Sequence, residues 1–145
     1  MKRLSVAIVL AMTSVAPFSI AKAAPFEITD GWFRALPGKL PAGGYFTAYN
    51  GTGRELSITG ADSDACGMLM IHRSSNKGGM SGMDMVDRVT VPANGTVRFA
   101  PGSYHLMCEN PTAKMKLGAK VSVLLKLSDG SFVAAGFVVK NATGK

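Results

Sequence analysis

Val121-Ser122-Val123-Leu124-Leu125-Lys126-Leu127, then Ser128-Asp129-Gly130-Ser131, then Phe132-Val133-Ala134-Ala135-Gly136-Phe137-Val138-Val139 decide the fold class. Two apolar runs flank a four-residue turn signal, which is the pattern of a hairpin closing a domain. Working back toward the start, the same unit recurs. Tyr104 to Cys108 is a short strand after the turn Pro101-Gly102, and Thr96 to Ala100 precedes that turn. Pro92-Ala93-Asn94-Gly95 separates it from Val86 to Val91, where Val89 and Val91 face inward. Met68 to Arg73 is another strand, and a Gly-rich loop is expected from Ser74 to Gly82. Glu55 to Gly60, with Leu56 and Ile58 on one face, follows the turn Asn50-Gly51-Thr52-Gly53, and Tyr45 to Tyr49 lies before it. Phe26 to Ala35 carries the only tryptophan, Trp32, and is interrupted at Pro37-Gly38 and Pro41-Ala42-Gly43-Gly44. No long amphipathic helix competes with these runs. Short strands with turns at this spacing predict an all-β antiparallel sandwich or barrel. Asn141 to Lys145 reads as a frayed end.

The first residues are of a different kind. Lys2 and Arg3 form a basic start, Leu4 to Ile20 is mostly apolar, and Ala21-Lys22-Ala23 is a small-x-small cleavage signal before Ala24. That order describes a bacterial signal peptide over 1–23, and hence export to the periplasm. Thr13, Ser14 and Pro17 break the apolar run, which is too short to be a good membrane span, so no stable membrane insertion is expected after cleavage. The remaining 24–145 is expected to be a single domain, long enough to bury its own core. Removing Lys2, Arg3 and Lys22 lowers the formal charge from +7 to +4. The residual excess is spread along the chain without aromatic interleaving, which reads as a solvated surface rather than a nucleic-acid site. In an oxidising compartment Cys66 and Cys108 suggest a disulfide, but a thiol near a metal and two separate buried thiols stay open.

The methionines carry the chemistry. Of the nine, Met68, Met70, Met80, Met83, Met85 and Met107 lie between residues 68 and 107, with the only two histidines, His72 and His105. Met68 and Met70 sit in an apolar run with Leu69 and Ile71 and read as core filling. On that reading Met68→Ala mainly affects stability. Met80, Met83 and Met85 sit among Gly78, Gly79, Ser81, Gly82 and Asp84, with no periodic apolar pattern to bury them. Thioether and imidazole together suit copper(I), whereas thioethers are poor ligands for calcium, magnesium or manganese. His105 and Met107, two apart on a strand, project to one face while Leu106 turns into the core. His72, near the end of its strand, is placed to reach the same site, and a thioether from the Gly-rich loop completes four neutral ligands.

The spacing is His72, ten residues, Met83, twenty-one residues, His105, one residue, Met107. It resembles the signature of the periplasmic copper chaperones of the PCu(A)C family. So do Trp32-Phe33-Arg34, Gly44-Tyr45-Phe46, Asn50-Gly51, Val91-Pro92-Ala93-Asn94-Gly95, Pro101-Gly102-Ser103-Tyr104-His105-Leu106-Met107, and Leu125-Lys126-Leu127 before Asp129-Gly130. The resemblance spans nearly the whole mature chain. It implies a cupredoxin-like antiparallel β-sandwich of Greek-key type, with His72, Met83, His105 and Met107 as copper(I) ligands and Met80 and Met85 as auxiliary thioethers. It also implies delivery toward the dinuclear copper centre of cytochrome c oxidase. The partners would be the oxidase copper subunit and a thioredoxin-like assembly factor, and the expected state is a monomer. Departures are Ser103 in place of a common glycine, Arg73 after His72, and the two cysteines. The His- and Met-rich C-terminal extension that binds copper(II) in some members is not seen, so a second copper(II) site and an intramolecular reduction relay are not expected.

Rival classes remain. A blue-copper electron-transfer protein needs a cysteine thiolate with two histidines and a weak axial methionine. Here Cys108 follows both His105 and Met107, against the order of that pattern. A copper-storage or tolerance protein would use the same ligands for a different end. A plain secreted β-sandwich, its histidines and methionines merely packing, leaves the ligand spacing as coincidence. Catalysis is not expected: no Gly-x-Ser-x-Gly element or paired-carboxylate pattern accompanies the two histidines.

Overall fold

The computed structural model of the chain describes residues 25–145. The signal-peptide reading of 1–23 lies outside the described residues. Ten strands follow one another: β1 (Phe26–Arg34), β2 (Ala42–Asn50), β3 (Leu56–Asp62), β4 (Cys66–Lys77), β5 (Met80–Met85), β6 (Val89–Val91), β7 (Gly95–Phe99), β8 (Tyr104–Pro111), β9 (Lys120–Leu127) and β10 (Phe132–Lys140). They hydrogen-bond in the order β5-β4-β8-β2-β1-β10-β9-β3-β6, with β7 paired to β2. All pairs are antiparallel except β1 with β10, where Trp32, Phe33 and Arg34 stand beside Val138, Val139 and Lys140. No helix among the described residues is long and apolar enough to cross a membrane.

The path folds over itself, so two halves face each other across one core. Along β9, Val121, Val123, Leu125 and Leu127 are buried and the residues between them exposed, the strict alternation of a sheet with one wet face. The β5-to-β10 half contributes a continuous inner row, Ile71, Leu106, Gly44, Phe33 and Val139, each the cross-strand partner of the next. The four side chains in that row are nearly or fully buried. Phe46 stacks on Phe99 with ring centres 4.2 Å apart, and Phe137 joins Phe33 and Phe46 in the middle. Asn50, placed in a turn by sequence, is fully buried at the end of β2. Its Nδ2 donates to the carbonyls of Arg54 and Val91, and its Oδ1 accepts from the Thr52 amide and hydroxyl, so the buried amide is satisfied.

One irregularity decides which residues reach the outer surface. Strand β1 carries an extra residue between Thr29 and Trp32, with Asp30 at φ 55°. Such a bulge shifts the pleat by one. Before it Phe26 and Ile28 pack inward, and after it Phe33 does, which leaves Trp32 and Arg34 on the outer face.

Three sequence expectations change. The Gly-rich stretch is a hairpin rather than a loop: β4 runs on to Lys77, and β5 returns with Lys77 opposite Met80 and Ser74 opposite Met83. Gly78 and Gly79 both have positive φ, 62° and 81°, which is what a two-residue turn matched to strand twist requires. Ala42, Gly43 and Gly44 are strand rather than turn, held between β1 and β8. Met68 is not core: its side chain is 56% exposed, and Met70 is half-buried on the same face. An apolar run of alternating Met and Leu or Ile hides the period, because thioethers occupy what is here the outward face.

Candidate metal centre

Directly opposed residues in a sheet share a face, so the register assigns the outer surface of β5, β4, β8, β2 and β1 row by row. One row is Met85, His72 and His105. The next is Met70, Met107, Gly43, Arg34 and Lys140. His72 and His105 are thus direct cross-strand neighbours, their ring centres 5.8 Å apart and nearly perpendicular. A metal–nitrogen bond of about 2.0 Å puts a ring centre about 3.2 Å from the ion. Two rings at this spacing therefore fit around one ion.

The nitrogens are prepared for that. His105 is 5% exposed, and its Nδ1 donates to the Ser103 carbonyl oxygen at 3.1 Å. The carbonyl can only accept, so Nδ1 carries the hydrogen and Nε2 keeps a free lone pair, the usual way an outer partner sets a ligand's tautomer. His72 Nδ1 is buried and has no hydrogen-bond partner. A buried nitrogen without a partner is costly unless something else occupies its lone pair. Burial holds the His72 imidazole below its ordinary pKa range, and the nearby His105 pushes the same way against an opposing pull from Glu109. Both effects favour the neutral, ligating form.

The thioethers divide. Met83, His105 and Met107 line a single cavity of about 310 Å³ with Arg34, Pro41, Tyr45, Ser74 and Gly102 among its walls. Met83 also borders a neighbouring recess of about 460 Å³ beneath the hairpin. His72 lines neither cavity itself and stands beside His105, which lines the first. Met85 stands directly opposite His72 on the outer side and is 66% exposed, while Met80 is at the hairpin turn opposite Lys77 and 77% exposed. The four residues singled out by spacing therefore gather on one face. Of the two auxiliary methionines, Met85 adjoins them and Met80 is displaced from them by the length of the hairpin.

Sequence reasoning missed Arg34, Tyr45 and Met70 as residues of this face. Met70 stands opposite Met107, and a strict period-two reading from His72 backward was the available signal. Arg34 and Tyr45 reach it only because of the β1 bulge and the pairing of β2 with β8, both long-range features. Among the described residues no three His, Cys, Asp or Glu side chains cluster to hold a metal, and the soft donors beside the two imidazoles are methionine thioethers. Cys108 cannot supply it. It is disulfide-bonded to Cys66, with Cα atoms 5.4 Å apart, and lies fully buried on the inner face. That removes the thiolate a blue-copper site needs and closes the question of free thiols.

The class defined by this fold is a cupredoxin-like β domain of PCu(A)C type, here with imidazole and thioether side chains gathered on one face of its sheet. The chain belongs to that family: the family model described as "Putative lipoprotein LpqE-like" matches residues 26–139. A relative described as a "putative lipoprotein" of Leifsonia xyli subsp. xyli is 31% identical over 119 residues, covering 81% of this chain and 71% of its own. Among solved structures, the copper(I) form of DR1885 from Deinococcus radiodurans is 28% identical, with a TM-score of 0.67 over 83% of this chain and 81% of that one. The copper-bound PCuAC domain from PmoF2 is 20% identical, again with a TM-score of 0.67, covering 83% of this chain and 96% of that domain; at this identity the likeness speaks for the fold.

Proposed function

We propose that this chain is an exported copper(I) chaperone, in which His72, Met83, His105 and Met107 hold one copper(I) ion and surrender it to an acceptor protein. The observation that carries this reading is the pairing of His72 with His105 across adjacent strands, one with an orphaned buried nitrogen, beside a cavity walled by Met83 and Met107. Two neutral imidazoles and two neutral thioethers are soft enough for copper(I) and add no charge. The copper(I) form of DR1885, 28% identical, supports the same ion. An open site at a sheet edge suits transfer, because an incoming protein's ligands can approach while the exposed Met83 detaches first.

The acceptor we propose is the dinuclear copper centre of cytochrome c oxidase, reached in the periplasm with or without a thioredoxin-like assembly factor. The export reading of the first 23 residues and the lipoprotein descriptions of relatives support an extracytoplasmic setting. Binding and handover describe the activity; no bond is made or broken in a substrate.

The test is a copper(I) titration of the reduced-copper protein against a coloured chelator, with the coordination read by X-ray absorption. One tight copper with mixed sulfur and nitrogen neighbours is expected. Affinity no better than in a His72→Ala/His105→Ala double variant sinks the proposal. Transfer is tested by mixing the loaded protein with a copper-free oxidase copper domain, where the absorption of the assembled centre should appear.

A further inference from the structure

The cavity beside the histidines has a cationic wall. In the row Met70, Met107, Gly43, Arg34 and Lys140, only a glycine separates Met107 from Arg34. The missing side chain matters: a Cβ on Gly43 would lie 2.7 Å from Tyr45 Oη. The Tyr45 ring instead occupies that space, and Arg34 and Tyr45 both line the same cavity as Met83, His105 and Met107. The guanidinium lies 5.2 Å from the Tyr45 ring centre, and that ring is 6.4 Å from His105. Arg34 has no carboxylate partner among the described residues, and its buried Nε has no hydrogen-bond partner. On its other side stands Lys140, whose ammonium lies over Trp32 at 5.3 Å. Glu109, the acid whose field reaches His72, is opposite Met68, farther along β8.

An uncompensated positive charge at the wall of a metal cavity acts on the ion's charge. Its repulsion is twice as large for a divalent ion as for a monovalent one at the same point. We propose that Arg34 tunes the oxidation-state preference of this face, further disfavouring copper(II) and leaving copper(I) bound but releasable. The inference rests on the proposed function. It adds that the neutral ligands alone do not determine the preference, and that a residue outside the ligand set tunes it through its charge.

The experiment compares wild type, Arg34→Gln and Arg34→Lys for copper(I), copper(II) and silver(I), the last a soft monovalent ion that does not change oxidation state. Two strand spacings separate the Arg34 backbone from that of Met107, about 10 Å, which sets the scale of the separation. At that distance, with screening between that of a protein surface and of water, the expected effects are modest and ordered. Arg34→Gln tightens copper(I) and silver(I) about threefold and copper(II) about tenfold, which lowers the bound couple's potential by about 30 mV. Arg34→Lys, which keeps the charge, stays within about twofold of wild type for all three. Lys140→Gln shifts copper(II) in the same direction by less, and serves as the readout if Arg34→Gln does not fold. Equal changes for copper(I) and copper(II), or the same change in Arg34→Lys as in Arg34→Gln, overturn the inference and leave the functional reading standing. Wild type binding neither copper(I) nor silver(I) overturns both.

Discussion

Strand β8 delivers His105 and Met107 from a segment whose alternate residues, Leu106 and Cys108, are fully buried, whereas every residue of β5 is exposed. The two strands flank β4 and supply the same face. One is fixed by the core: Leu106 stands in the inner row, and Cys108 is bonded to Cys66 on the neighbouring strand. The other is held by its pairing to β4 and by a surface contact between Lys77 and Asp84, which exposed geometry makes weak. His105 is 5% exposed and Met83 is 58% exposed. On the proposed function, the difference describes a grip with one fixed jaw and one adaptable jaw. A carrier needs both: donors held in place to give affinity, and a flexible thioether that can yield to a competitor.

The comparison breaks first at the disulfide. Cys66→Ala with Cys108→Ala removes the cross-link between β4 and β8, which closes a loop with a sequence separation of 42. Loop-closure entropy for a loop of that size amounts to about 4 kcal/mol, to which the loss of buried sulfur adds. Chemical denaturation should show a drop of that order. Stability unchanged within about 0.5 kcal/mol would mean that β8 is held by something else and is not the fixed jaw.

The ligands come next. His105→Ala removes a buried donor whose ring is already oriented by Ser103. Disturbing an outer partner of a metal ligand alone costs about 10–100-fold, so losing the ligand itself should weaken copper(I) by more than about 100-fold. Met83→Ala should cost less, about tenfold, because the adjoining Met85 can supply a thioether from the same strand. It should leave the thermal midpoint unchanged. Chelator competition and melting curves on the two variants read both quantities, and equal losses would erase the contrast between the jaws.

Much of this was legible in the sequence for definite reasons. Alternating apolar runs and turn residues marked nearly every strand, since period two and turn chemistry are local. The spacing from His72 to Met107 picked out four side chains that converge on one face. Pairing was beyond reach: nothing local in Phe26 to Arg34 states that β1 runs parallel to β10, or that a bulge at Asp30 turns Arg34 outward. The hairpin of β4 and β5 was read as a loop because glycines and serines hide strand propensity. Its stability comes from pairing with β4 rather than from side-chain burial. The cysteine pair was left open because sequence does not fix a Cα separation.

A pH series tests β4, the strand that both jaws flank. With its folded pKa held below the ordinary 6.5, His72 binds fewer protons in the folded chain than in the unfolded one between those two values. Stability therefore rises with pH across that interval, and is lost as pH falls from 6.5 through the lowered pKa. Copper(I) affinity should be flat above 6.5 and decline only below it, where protons begin to compete for the His72 nitrogen. A decline that starts above 6.5 would place the titrating ligand elsewhere.

The smallest effect tests the outward methionines. Sequence alone made Met68 a core residue, with Met68→Ala destabilising, but its side chain is 56% exposed and stands opposite Glu109 rather than within the inner row. A truncation there removes little buried surface, so the change in stability should stay within about 0.5 kcal/mol. The matching inward change, Leu69→Ala, should cost about 2–5 kcal/mol, because Leu69 is buried opposite Cys108. Denaturation of the two neighbours therefore reads the pleat of β4 directly. Similar losses at 68 and 69 would mean that the apolar run is buried on both faces and that the face carrying Met70 and His72 is not open to an incoming ion.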